Sequence, residues 1–436
     1  MRHATALLVT ATCAWLCPAY GQADDKLVLL IPNLFGPQGL VVDSEARLPS
    51  GETHSAHFNS VFQAEFRQFN IALASQLTAV PLPSPASGFT YTFDPALAES
   101  GLFRRTTQSF GPILADRAET VGRRKLAVGI SYQRFTFDRL EGVDLDNLNA
   151  VFTHDEATPG GRADVVTTVN ALEATVSQLT AFLNYGLTDR VDVSLALPLL
   201  DTSLTVVSEA TVRRIGTIDP RVHFFRDPSG GIGNVRSFRS SGSATGIGDV
   251  LMRVKANVWH RRSGGLALGL EGRLPTGDEE DLLGSGTLGL KPFLALSINR
   301  GRVAPHLNVG YQWNGDSVLA GDVRTGAKAD FPDQFSYAAG VDVGVGARAT
   351  VAVELLGRRV SASPRLVSET FQALDGRTTF PNLRFLRNSF HQADAAVGFK
   401  ANPVGRLLVD FNLLLALNDS GLRDRVTPLL GIEYTF

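Results

Sequence analysis

The chain has 436 residues, 44% of them hydrophobic and 19% charged, with a formal net charge of −2. That near-neutral balance argues against a nucleic-acid partner, and after the leader no run of about 18 apolar residues occurs, which excludes helical membrane spans. Both cysteines, Cys13 and Cys17, fall in the leader, so the remaining chain offers no disulfide, thiolate metal site or cysteine nucleophile.

Residues 1–23 read as a secretory signal peptide. Arg2 supplies the positive start, residues 4–16 an apolar core, and Ala19-Tyr20-Gly21 or Gly21-Gln22-Ala23 a small-x-small cleavage site. Cys17 follows Leu16, a poor match to an acylation site, so no lipid anchor is expected. Residues 24–124 form a non-barrel segment that either plugs a lumen or hangs in the periplasm. Within it Phe58, Val61, Phe62, Phe66, Phe69, Leu73 and Leu77 recur at three- and four-residue steps, predicting an amphipathic helix near 55–78. Pro81, Pro83 and Pro85 end it, and residues 88–94 read as a short extended piece.

From residue 125 the pattern becomes regular. Candidate strands cover 125–137, 171–186, 190–206, 248–260, 265–274, 287–299, 302–314, 334–345, 349–361, 390–401, 406–417 and 426–436. That is about twelve, an even number of the kind single-chain bacterial barrels use. Val250, Met252, Val254, Ala256 and Val258 alternate with Arg253, Lys255 and Asn257; Leu266, Leu268, Leu270 and Leu274 oppose Glu271 and Arg273. A lipid-facing Arg or Lys at mid-depth costs roughly 2–4 kcal/mol, so the phase of the charges fixes which face looks outward.

The connections run long, short, long, short: 138–170 then 187–189, 207–247 then 261–264, 275–286 then 300–301, 315–333 then 346–348, 362–389 then 402–405, and finally 418–425. Barrels keep short turns in the periplasm and long loops outside. With both chain ends periplasmic, every long connection lands outside. Tyr185, Trp259, Tyr311, Trp313, Phe335, Tyr337, Tyr434 and Phe436 sit near strand ends, where aromatic girdles belong. Trp259 alone falls on the inward phase, which calls for a bulge or a lumen position.

The last strand alternates Val426, Pro428, Leu430, Ile432, Tyr434 and Phe436 with small or polar residues. An unpaired terminal strand in hydrocarbon leaves backbone groups costing several kcal/mol each, so it must pair with the first strand. The fold class is therefore all-β, a transmembrane antiparallel up-and-down barrel (residues 125–436) behind a helical or irregular N-terminal segment. Phe436 is its closing and sorting signal, to be read by the barrel-assembly machinery in the outer membrane of a Gram-negative bacterium, among outer-membrane lipid and lipopolysaccharide.

Inside, Arg253, Lys255, Arg273, Lys291, Arg358 and Lys400 face Glu271, Asp342, Glu354, Asp394, Asp410 and Glu433. Mixed signs in a narrow lumen predict cross-lumen ion pairs, which either brace a closed barrel or line a weakly selective conduit. Other motifs carry less. Gly284-Ser285-Gly286-Thr287-Leu288-Gly289 matches G-x-G-x-x-G, but a strand rather than a helix follows it, so the glycines punctuate a loop. The acidic run Asp278-Glu279-Glu280-Asp281 and the pair Asp144 and Asp146 suit a solvated loop better than Ca²⁺ or lipopolysaccharide. His54 and His57 lack a third ligand, and no metal site is expected.

Leu274-Pro275-Thr276-Gly277-Asp278 after a glycine-punctuated strand, with Gly284-Ser285-Gly286 beyond it, joins Phe58-Asn59-Ser60, Phe93-Asp94-Pro95, Phe110-Gly111-Pro112 and Gly142-Val143-Asp144-Leu145. Together these resemble the outer-membrane transporter family labelled "MetA-pathway of phenol degradation", and more loosely the FadL-type channels. The resemblance implies passage of small, apolar or aromatic molecules across the outer membrane; the family's functional residues are not defined and none is carried over, and the reading expects no cofactor and no covalent chemistry. Two rivals stand beside it: a structural or adhesive barrel with a closed lumen, and a lipid-modifying barrel enzyme using His391.

Overall fold

The computed structural model describes residues 26–36, 39–46, 56–59, 72–73, 88–93, 103–105, 108–154, 163–227 and 229–436. Period-two alternation becomes twelve long strands: β1 Leu126–Phe137, β2 Val165–Gly186, β3 Val191–Arg213, β4 Val250–Arg261, β5 Gly264–Leu274, β6 Gly289–Ile298, β7 Val303–Asn314, β8 Gln334–Val345, β9 Ala349–Gln372, β10 Thr379–Ala401, β11 Leu407–Ala416 and β12 Val426–Thr435. Each pairs antiparallel with the next in the chain. The ring closes where β12 meets β1, in register from Leu429↔Gln133 to Thr435↔Ala127. The Phe436 N–H then donates to the Leu126 carbonyl at 2.7 Å. Closure removes the sheet edges that hydrocarbon could not satisfy.

The two faces differ as the phase requires. On β4, Val254 and Val258 are each 49% exposed, whereas Lys255 and Asn257 between them are buried. A bulge between Asn257 and Trp259 resets the register so that Trp259 pairs with Leu266, and Trp259 faces lipid. Tyr185, Trp259, Tyr434 and Phe436 ring the short-turn end, and Trp313, Phe335 and Tyr337 the other. The central ten or so residues of each tilted strand match a membrane band about 25 Å tall.

Strands β2, β3, β9 and β10 overrun that band on the long-connection side. The stretch 362–389, read above as a long loop, is instead the continuation of β9 and β10 past a register shift between Val360 and Ser363, with only 373–378 left as a turn. Likewise Leu148–His154 pairs with the upper part of β2, and Val235–Ile247 with the upper part of β3. This outer sheet is pinned by Asp164 and His223, both fully buried, 2.8 Å apart. Burial pushes the Asp164 carboxyl up, but the His223 ring and the Ile215 and Gly216 N–H groups outweigh it and hold the pKa below the ordinary value.

The N-terminal stretch departs from expectation. Ala56–Asn59, inside the span read as a helix, is a strand that pairs with Val41–Val42 and Leu148–His154. Ala72 and Leu73 are helical; the rest of 55–78, like the leader, lies outside the described residues. Residues 26–36 and 39–46 dock at the long-connection end, where Val28 N–H donates to Glu280 O and Asp43 N–H to Phe224 O. Phe436 closes the short-turn end, while the earliest described residues, from Lys26, lie at the other. Asn59 is still at the long-connection end, paired with Thr153, whereas Gly88 lies at the short-turn end on Glu433.

Val254 faces lipid between Val193 and Leu270 near mid-strand. Val254→Arg should lower unfolding free energy by roughly 2–4 kcal/mol in denaturant titrations of the lipid-embedded protein. A change of less than about 0.5 kcal/mol, as at ordinary surface positions, would contradict the assigned face.

Candidate functional site

The lumen is not an empty tube. Residues 108–122 cross its short-turn half as an irregular strip, and irregular backbone needs partners from outside itself. The inward-facing side chains supply them. Glu354 on β9 accepts the N–H groups of Ile113, Leu114 and Ala115, the last two at 3.0 Å. Thr350 accepts from Phe110 at 2.8 Å, Ser297 from Ala118 at 2.8 Å and Asp192 from Val121 at 3.0 Å. In return the Lys255 ammonium donates to the carbonyls of Arg117 and Glu119, both at 2.9 Å, and Asn257 to that of Ala118 at 2.7 Å. Asn308 does both, accepting from Asp116 N–H and donating to Asp116 O. The polar wall thus treats the strip much as a neighbouring strand would.

All twelve candidate residues lie on the inward phase of their strands, but their pairing differs from the predicted cross-lumen bridges. Some pairs are lateral: Arg253 Nε donates to Glu271 at 2.9 Å, and Glu271 also takes Lys291 at 3.4 Å from the next strand. Others join wall to strip or loop: Arg253 holds Asp116 at 2.8 Å, Asp342 accepts from Ser109 Oγ, and Glu433 from the Gly88 N–H at 3.1 Å. Asp394 holds Arg423 from the final loop at 2.7 Å, and Arg273 lies 3.5 Å from Asp249. Arg358 donates to Gln392 and Asp410 accepts from Asn412, while Lys400 stands beside Asp410 in register. The reason is reach: side chains on adjacent strands are neighbours, and the strip occupies the centre that a cross-lumen pair would need.

Sequence reasoning missed Asp116, Asp192, His306, Asn308 and Arg423. His306 lies between Asp342 at 3.2 Å and Glu354 at 3.6 Å, under the strip. Asp192, His306 and Asn308 sat on inward phases already drawn; counting only some of the charged positions passed over them.

Above the strip a cavity of about 260 Å³ remains. Leu114, Ala115 and Asp116 form its floor, and Asp249, Leu283 and Gly284 from the long connections its roof. The L-P-T-G-D stretch builds that roof. Thr276 Oγ1 donates to Gly248 O at 2.7 Å and accepts from Val250 N–H at 3.0 Å. Asp249 collects Gly277 N–H, Ser285 N–H and Ser285 Oγ. Gly277 and Gly284 pack backbone on backbone, with no room for a Cβ at either. Lys26 spans Asp278 and Asp281 at 2.9 and 2.8 Å, so these two carboxylates hold the N-terminal stretch.

The remaining motifs resolve locally. Asp144 pairs with Arg139 at 3.0 Å. The His391 Nε2 meets Tyr337 Oη at 2.8 Å on the lipid-facing surface, a phenol rather than a serine. His54 and the side chain of His57 lie outside the described residues. Glu354→Gln should speed amide hydrogen exchange at residues 113–115 by about tenfold or more, since hydrogen bonds to a charged acceptor contribute about 1.5–3 kcal/mol. Unchanged exchange there would mean that the carboxylate does not hold the strip.

Among the solved structures to which the chain is similar are three channels or channel homologues. An outer membrane channel from Pseudomonas putida F1 is 13% identical, with TM-score 0.43, over 73% of this chain and 98% of that one. A FadL homologue from Pseudomonas aeruginosa is 10% identical, TM-score 0.31, over 84% and 97%. The CymD monoaromatic hydrocarbon channel is 11% identical, TM-score 0.28, over 72% and 88%. No curated protein matches the sequence. Residues 148–355 match the family described as "Putative MetA-pathway of phenol degradation", the same family that the sequence motifs resemble.

Proposed function

We propose that the protein is an outer-membrane channel that passes small molecules through the barrel lumen, the N-terminal strip serving as its plug. One observation carries the reading: a cavity lined by both polar and apolar side chains lies in the path between loop roof and strip floor of a lipid-facing barrel. Leu251, Leu283 and Phe293 give an apolar wall, and Arg273, Gln312 and Gln334 a polar one. That mixture suits solutes with an aromatic or aliphatic body and a polar end, in keeping with a family named for phenol degradation. Export by a cleaved signal peptide and recognition of the Phe436 strand by the assembly machinery belong to the same reading. No step in it requires a cofactor.

The strip also favours a second reading, a barrel braced shut. The two separate if the strip can be locked. A Cβ built at Gly265 falls 3.4 Å from the Ala118 Cβ, close to the roughly 3.5–4.5 Å of a disulfide. In an Ala118→Cys/Gly265→Cys protein, reductant should permit conductance steps in planar bilayers and oxidation should suppress them. A reduced protein that never conducts would contradict the channel and leave the braced barrel.

A further inference from the structure

The cavity is short of acceptors on one side. Arg273 on β5 is 4% exposed. Its Nη2 donates to Asn314 Oδ1 at 2.8 Å, an oxygen already taken by Gln312 Nε2 at 3.0 Å. Its Nε faces Asp249 at 3.5 Å, but that carboxylate receives Gly277 and Ser285 from the roof. The Arg273 Nη1 has no acceptor among the described residues. Further round the same wall, Gln334 on β8 is also 4% exposed, and its Nε2 likewise has no acceptor there. A buried donor left unmet costs about 1–3 kcal/mol, and more when charged. Both residues line the cavity, so what fills it should bring oxygen acceptors.

The opposite chemistry lies close by. Leu251, Leu283 and Phe293 line the same space. Arg253 and Lys291 are committed to Glu271 and Asp116, so they add no open cationic site. A guanidinium with an unspent edge matches the two oxygens of a carboxylate. The cavity, about 260 Å³, falls just under the roughly 300–1,000 Å³ of pockets for drug-sized ligands, a size that suits a small solute.

We propose that this cavity is a binding site for small aromatic or short-chain monocarboxylates, with the carboxylate on Arg273, Gln334 as a second donor, and the apolar body against Leu251, Leu283 and Phe293. The inference rests on the channel reading and narrows it to a solute class. Equilibrium binding rather than flux tests it. Calorimetry on the full, detergent-solubilised protein would compare benzoate with benzyl alcohol, which has a similar ring and no charge. Benzoate should bind at least about tenfold more tightly, the worth of one charge-assisted hydrogen bond. Arg273→Gln should erase that preference by lowering benzoate affinity about tenfold more than benzyl alcohol affinity, and Gln334→Leu should weaken benzoate by a few fold. If Arg273→Gln fails to fold, Gln334→Leu alone decides, and an unchanged benzoate affinity overturns the proposal. Equal binding of the two probes to the native protein also overturns it, and means that water alone meets these donors. A conducting protein that shows no benzoate preference sinks only the carboxylate site. A silent one that binds benzoate keeps the site and sinks the channel.

Discussion

Hydrocarbon offers no hydrogen bonds, and that single constraint shapes this protein. Every strand amide in the bilayer must find its partner in another strand, so the sheet has to close. The seam between β12 and β1 meets that demand, down to the terminal Phe436 amide on Leu126. Once the ring is shut, the period of two allots each side chain to lipid or to lumen, and charges have only the inside to occupy.

The crowded interior then becomes a surface with its own specificity. Glu354, Lys255, Asn257 and Asn308 act as a template for a strip with no regular structure of its own. Hydrogen bonds from the neutral Asn257 and Asn308 each contribute only about 0.5–1.5 kcal/mol net, and those to the charged Glu354 and Lys255 about 1.5–3 kcal/mol, because water can replace them. A strip held by many weak, water-exchangeable contacts can be ordered and still be displaced. A strip cemented by apolar packing could not leave without exposing that packing to water. Part of it is apolar, since Phe110 packs with Phe89 and Leu408, and that cluster is where displacement would cost most.

Strand bounds were legible to within a residue or two at eight of the twelve strands, coinciding at Gln334–Val345, whereas β2 and β3 run six and seven residues beyond the expected bounds on the long-connection side. Alternation failed at 362–389 for a local reason. The bulge at Ser361 and Ala362, with Ala362 at φ 48°, breaks the alternation, so the eye stops a strand that continues. Trp259 shows the opposite case, where one residue off phase called for a bulge or a lumen position and the structure contains the bulge. The strip was illegible because its partners are distant: nothing in Ser109 to Val121 shows a period, and its order comes from residues up to 241 positions away. The site suffered likewise. Inward phase could be read strand by strand, but which inward groups meet depends on the strip between them.

The most direct test is amide hydrogen exchange at the closing seam, on the protein held in lipid. If the sheet is a closed cylinder, the amides of Ile432, Tyr434 and Phe436 and of their partners on β1 should exchange as slowly as those between β4 and β5. Rapid exchange confined to that seam would mean an open edge in hydrocarbon, and the account of this protein as a sealed barrel would fail.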